Sequence, residues 1–273
     1  MLRGPLLLLP LLALLVAAVV TGCGSGGALS LDPVAAAATK TADEQTFKVQ
    51  YSMEMTVLGQ KMTLGGTGAF DGGRDVAQTT VDLSQLPIPG AADGGSATIV
   101  YDGRVMYMKM PALTNVLPGS KPWVKVDLAA AAKSLGVDLG SFKAADPKQG
   151  LQQLLASSDA KKVGTDTIDG VETTHYRAVV DIANAAKLPP AQRQALRQYL
   201  KEMSGRAPVD VWIDADGHVR RESTNFDYGT GLQHAQTSVT MNFSDFGAPV
   251  DVTVPAAGDV TDITSLVAKS PTS

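Results

Sequence analysis

The chain has 273 residues, 23 Lys and Arg against 27 Asp and Glu, a formal net charge of −4 and a single cysteine. A weakly acidic surface without clustered Lys and Arg excludes a phosphate-binding nucleic-acid protein and gives no electrostatic grip on anionic headgroups. One cysteine excludes an internal disulfide framework, and the length is ample for one domain with a real core.

The N terminus places Arg3 ahead of an apolar run over residues 6–20, followed by Thr21-Gly22-Cys23. A basic residue, an apolar run and then small residues read as an export signal. A lone cysteine directly after small residues resembles the bacterial lipobox, where a diacylglyceryl group is joined to the sulfur and the leader is cut before it. The expectation is a signal peptide over 1–22 and lipid attachment at Cys23. The alternative, a retained membrane span, needs about 20 apolar residues and fits Pro5 and Pro10 poorly. Cleavage takes 22 residues from 273 and removes Arg3, leaving 251 residues and a net charge of −5.

Residues 23–31 begin Cys-Gly-Ser-Gly-Gly-Ala, the composition of a flexible tether. The main domain is expected over 32–260. Asp32-Pro33 offers an N-cap and a proline at the first helical position, ahead of an alanine-rich helix over 34–44. At Thr46 the period changes. Phe47, Val49, Tyr51, Met53, Met55 and Val57 alternate with Lys48, Gln50, Ser52, Glu54 and Thr56, which predicts a strand apolar on one side and wet on the other. Strands over 61–70 and 75–83 follow, so the domain opens as a β-meander.

Residues 87–95, rich in Pro, Gly and Ala, read as a loop. Strands over 97–101 and 105–110 are joined at Asp102-Gly103, with Met106, Met108 and Met110 on one face. A short strand over 123–126 precedes a helix over 127–134, and Asp146-Pro147-Lys148-Gln149 opens another, running to about 157. A second β run starts at Lys161, turns at Asp169-Gly170 and returns over 171–182. Pro189-Pro190 starts a helix over 191–203. Strands over 208–214, 218–228, 232–246 and 250–254 complete the domain, and 261–273 reads as a polar tail.

The sum is an α+β protein with nine to eleven antiparallel strands. No βαβ rhythm appears, and the Asp-Gly turns at Asp71, Asp102, Asp169 and Asp216 are spaced too irregularly for a solenoid or propeller. Enzyme chemistry finds no foothold: there is no G-x-S-x-G elbow, P-loop or dinucleotide fingerprint. His175, His218 and His234 have no His or Cys partner at metal-ligand spacing, and His218 reads as a solvated strand start. Asp214-Ala215-Asp216 begins like a calcium loop, but Val219 stands where glycine is needed and Asn225 where the bidentate glutamate belongs, so a hairpin turn accounts for it. The expectation is no catalytic residue, no metal and no cofactor.

The run from Pro208 to Gly217 (PVDVWIDADG), the run from Asp245 to Pro255 (DFGAPVDVTVP), and Thr167-Ile168-Asp169-Gly170 leading into His175-Tyr176-Arg177 resemble the actinobacterial LppX/LprG-type lipoproteins, which share the LolA/LolB-like fold. The resemblance covers roughly residues 39–260 and rests on turns and strand ends. It implies an antiparallel sheet curved into an incomplete barrel, with helices covering the apolar concave face and acyl chains held in a cavity. The implied role is to carry or present lipid or glycolipid in the cell envelope, anchored on the extracytoplasmic face of the cell membrane by N-terminal acyl chains. An envelope transporter is an implied partner, and a monomer is expected.

The resemblance supplies no ligand residues. Alternation alone nominates Tyr51, Met53, Met55, Val57, Met62, Met106, Met108, Met110, Val180, Val211, Val239, Met241 and Phe243 as the apolar lining. Seven of nine methionines fall in predicted strands, although methionine is not a preferred strand residue, and flexible thioethers suit a malleable lipid pocket as well as a core. The helix over 191–203 and the loop over 87–95 are candidate movable covers. Two other readings remain open: an envelope sensor or accessory lipoprotein that binds protein with a filled concavity, and a surface hydrolase with an unrecognised site.

Overall fold

Asp32 caps helix α1 (Pro33–Asp43), its carboxylate accepting from the amides of Val34 (2.9 Å) and Ala35 (3.3 Å). The computed structural model describes residues 32–57, 60–84, 95–110, 121–135, 151, 153–181, 206–228 and 235–267. The apolar leader, Cys23, residues 87–94, the first turn of the helix expected from Asp146 (146–150) and the helix over 191–203 lie outside them. Among the described residues no helix is long and apolar enough to cross a membrane.

The described strands are β1 (Thr46–Val57), β2 (Gln60–Asp71), β3 (Val76–Asp82), β4 (Ser96–Asp102), β5 (Val105–Lys109), β6 (Trp123–Asp127), β7 (Ser157–Ile168), β8 (Val171–Asp181), β9 (Arg206–Asp214), β10 (Val219–Tyr228), β11 (Ala235–Ser244) and β12 (Val260–Asp262). They form one twelve-stranded sheet in the order β12-β6-β5-β4-β3-β2-β1-β11-β10-β9-β8-β7. Two meanders, β1 to β6 and β7 to β11, are joined through the antiparallel pairing of β1 with β11. The outermost strands β12 and β7 do not pair with each other, so the sheet is open and not a closed barrel. Helices are few. The turn between β7 and β8 is Asp169-Gly170, with φ of +49° and +83°, the two left-handed residues of a tight hairpin.

One face of the sheet, termed inner here, meets α1. Val34, Ala37, Ala38 and Thr41 recur at helical spacing and are buried, packing with Phe47, Phe243, Val209, Val211, Leu151 and Leu154 in the main core. Phe47 lies 5.1 Å from Phe70 and 6.0 Å from Phe243 between ring centroids. The Thr41 hydroxyl donates to the Ala37 carbonyl (2.8 Å) and accepts from the Val219 amide (2.8 Å), tying helix to sheet at a buried point. Lys40 also reaches the Asp216 carbonyl in the β9–β10 turn.

Several expectations are corrected. The sheet has twelve strands, and β12 pairs parallel with β6. Residues 250–254 are not a strand: they cross the outer face, where Val252 packs on Val76 and Val100 while its carbonyl accepts from Arg74 Nη2 (3.2 Å). The outer face is therefore not uniformly wet, because the returning C-terminal segment makes a second small core there. Residues 260–267 hold β12 and a short helix, Thr264–Val267, where a polar tail is expected. Ser157 is fully buried at the start of β7 after a 3-10 turn at Leu154–Ala156, so the expected helix ends earlier and the strand begins four residues earlier than Lys161.

Candidate ligand-binding face

Residues directly opposite each other in paired strands share a face. Register therefore tests whether the alternation in separate segments builds one surface. It does. Tyr51 faces Met241 and Gly66, Met53 faces Val239 and Leu64, Met55 faces Met62, and Val49 faces Phe243. Farther along, Val81 faces Ala97, Ile99 faces Met108, Tyr101 faces Met106, and Met106 and Met108 face Val126 and Val124. On the other side Met241 faces Glu222, Glu222 faces Val211, Val211 faces Tyr176, and Val180 faces Ala207. Val57, at the end of β1, continues the parity of Met55. Met110 follows β5 and packs with Leu83 and Ala97.

This inner face has two regions. Phe243, Val211 and Val180 are fully or almost fully buried and belong to the core beneath α1. They are packed side chains. Tyr51, Met53, Met55, Met62, Met106, Met108, Met110, Val239 and Met241 are half-buried. With Leu64, Val81 and Ile99, also half-buried, they make an apolar surface with methionine at its centre.

Two inner-face features escape an alternation reading. Gly66 sits under the Tyr51 ring: a Cβ there would lie 2.6 Å from Tyr51 Cζ and also collide with the Thr80 carbonyl. Glycine inside a strand marks such a close approach, and the Gly65-Gly66-Thr67-Gly68 run is its sequence signal. The Tyr51 hydroxyl points towards the Thr80 carbonyl at 3.5 Å, and burial pushes its pKa up. Glu222 is the second. Counting outward from buried Val219 puts Arg221 and Ser223 inside, but a bulge between Val219 and Arg221 adds one residue and turns Glu222 inward. Its side chain is buried, Oε2 has no hydrogen-bond partner among the described residues, and burial pushes the carboxyl up to about 8.

The outer face is polar in a different way. His175 stacks on Trp212 at 4.2 Å between centroids and contacts Asp210 through Nε2 (2.8 Å), while Trp212 Nε1 donates to Asp166 Oδ2 (2.7 Å). A groove of about 440 Å³ lies among Glu54, Thr56, Lys61, Asn225, Gln236, Thr237 and Ser238, spanned by a Lys61–Glu54 ion pair of 2.9 Å. Its side-chain chemistry suits polar groups and offers little to an acyl chain.

The Asp214, Asp216 and His218 side chains approach within 4.8 Å of one another. Both Asp214 oxygens are engaged in the hairpin, one by the His218 amide (2.8 Å) and one by Arg220 Nε (2.6 Å). Burial alone would raise the Asp214 pKa, but these donors and the charges of Arg220 and His218 hold it below the usual range. His218 is not a solvated strand start. Its ring is largely buried, stacked on Phe246 at 4.5 Å, with Nε2 2.8 Å from Glu44 Oε1.

Comparison with known proteins adds to this geometry. A family model described as LppX_LprAFG lipoprotein matches residues 35–252. An uncharacterized 31.2 kDa protein of Streptomyces griseus is 29% identical over 241 residues, covering 84% of this chain and 77% of its own. The lipoarabinomannan carrier protein LprG of Mycolicibacterium smegmatis is 28% identical over 245 residues, covering 88% of this chain and 92% of its own. Among solved structures, the lipoprotein LppX of Mycobacterium tuberculosis covers 81% of this chain and 100% of its own at 18% identity, with a TM-score of 0.45.

Proposed function

The chain belongs to the LppX_LprAFG lipoprotein family, and from that premise we propose that it is a membrane-tethered carrier that holds lipid or glycolipid acyl chains against the half-buried part of its inner face. The observation that carries this reading is the register: Tyr51, Met53, Met55, Met62, Met106, Met108, Val239 and Met241 come from four strands, yet lie on one apolar face. The LprG relative, a carrier by name, supports the same reading.

The physical demand fits. Burying an acyl chain of about sixteen carbons is worth on the order of 10 kcal/mol, at about 0.8 per methylene, so a lipid leaves a bilayer only for a comparable apolar host. Thioethers adapt their shape to different chains better than branched side chains do. Acylation at Cys23 would hold the domain on the extracytoplasmic face of the membrane, and a short Gly-Ser tether would keep the inner face near its lipid source. An envelope transporter fits as donor or acceptor. No chemistry on the lipid is part of this proposal.

Native mass spectrometry of the full chain extracted from its own membranes in mild detergent tests the reading. The expected result is a family of masses exceeding the acylated polypeptide by one lipid, lost when Met53 and Val239 are both replaced by Glu. A ligand-free protein that also fails to take up added acyl lipid would overturn it.

A further inference from the structure

At the edge of the half-buried stretch stands a buried carboxyl, Glu222, on the same face as the methionines. Glu222 lies between Val211 on β9 and Met241 on β11, and Met241 in turn faces Tyr51. The cross-strand row Val211, Glu222, Met241, Tyr51 thus passes from packed core to half-exposed surface, with Glu222 at the boundary. Among the described residues no cation pairs with it. The two nearest in sequence are spoken for: Arg220 Nε donates to Asp214, and Arg221 Nε donates to Asn242 on the outer face.

A carboxyl in that setting is neutral, since burial without a counter-ion disfavours the charged form. A neutral carboxyl carries one O–H donor and free acceptor capacity. Buried polar groups find partners, and an unfilled one needs an explanation. The described residues supply no partner for Oε2. Acyl lipids present few polar atoms within their apolar mass. The chief ones are the ester carbonyl oxygens where chains join the backbone, which accept and cannot donate. A proton donor on an apolar wall complements that group and would repel a bare carboxylate less than an ionised glutamate would.

We propose that Glu222 is a polar contact of the inner face, donating a hydrogen bond from its carboxyl to an ester carbonyl of a bound acyl lipid and so setting where along the face the ester linkage sits. The assignment rests on the carrier reading above. It makes the protein selective for acyl esters over lipids with the same chains but no carbonyl, and it explains why a costly buried carboxyl interrupts an otherwise apolar row.

The test compares two probes of equal chain length, dipalmitoylglycerol and its diether counterpart dihexadecylglycerol, binding to the full chain in detergent. Wild type should favour the diester by about five- to tenfold, the worth of one hydrogen bond. Glu222→Leu should abolish that preference while holding diether affinity within about twofold. Glu222→Gln, which keeps an N–H donor, should retain most of it and guards against a folding defect in the leucine variant. Equal binding of both probes by wild type, or an ester preference that survives in Glu222→Leu, overturns the Glu222 assignment alone. Binding of neither probe by wild type overturns the carrier reading, and the assignment with it.

Discussion

The inner face of this sheet is one surface with two fates. Phe47, Phe243 and Val211 occupy it beneath α1 and are sealed, while Met53, Met55 and Val239 occupy the same face farther along the same strands and stay half-exposed. Alternation cannot tell them apart. What separates them is cover: Val34, Ala37, Ala38 and Leu154 fill the space over the first group. The side chains follow suit, rigid rings where a fixed partner packs and pliant thioethers where none of those residues reaches. The difference teaches that, in an open sheet, one set of strands can carry a sealed core at one end and leave an apolar face half-exposed at the other.

Substitutions at the two ends should therefore fail in different ways. The largest loss of stability is expected for Phe47→Ala, about 3 to 5 kcal/mol in urea unfolding, since it empties the centre of an aromatic cluster; lipid uptake per folded molecule should hardly change. Glu222, at the boundary, should make stability depend on pH. Its folded carboxyl is pushed up to about 8 against an ordinary 4.5, so the native chain keeps a proton that the unfolded chain releases between those values. That contribution is intact below about pH 4.5 and is lost as pH rises through 8, on the order of a few kcal/mol. Thermal melts from pH 5 to 8.5 should fall more steeply for wild type than for Glu222→Gln, and parallel curves would show that the carboxyl is not held neutral.

Gly66→Ala ranks next, at about 1 to 3 kcal/mol, because the added Cβ must displace both the Thr80 carbonyl of the neighbouring strand and the Tyr51 ring. Pairing it with Tyr51→Ala should recover only part of the loss, since the clash with the Thr80 backbone carbonyl remains. The smallest stability effect belongs to Met53→Ala, below about 2 kcal/mol, yet it should weaken lipid uptake more than any of these. If instead Met53→Ala destabilises as much as Phe47→Ala, the two regions are a single core and the contrast drawn here fails.

Much of the fold is legible in the sequence for local reasons. Asp32-Pro33 announces α1 because a cap and a preset φ are properties of those residues alone, and Asp169-Gly170 announces a hairpin because few others accept two left-handed positions. The alternation of β1 correctly assigns Tyr51, Met53 and Met55 to one side. Long-range matters are not legible. Val252 is buried by a segment crossing the outer face, and β12 finds β6 more than 130 residues away in sequence; neither leaves a periodic trace. Glu222 is hidden by a bulge that reverses parity, and His218 by Phe246 and Glu44, which reach it from distant elements. Periodicity says which side chains share a face, and nothing about what lies upon it.

An open sheet leaves two strands with unpaired backbone, each an invitation to another chain's strand. Here the two ends decline it. β12 is three residues long, and β7 breaks register twice, between Ser158 and Lys161 and between Lys162 and Gly164, with Asp159 in a left-handed conformation and exposed lysines at 161 and 162. Neither end offers the long, flat and uncharged template that polymerisation needs. With such ends the sheet can forgo barrel closure, which would wall off its apolar face, without presenting a template for strand addition.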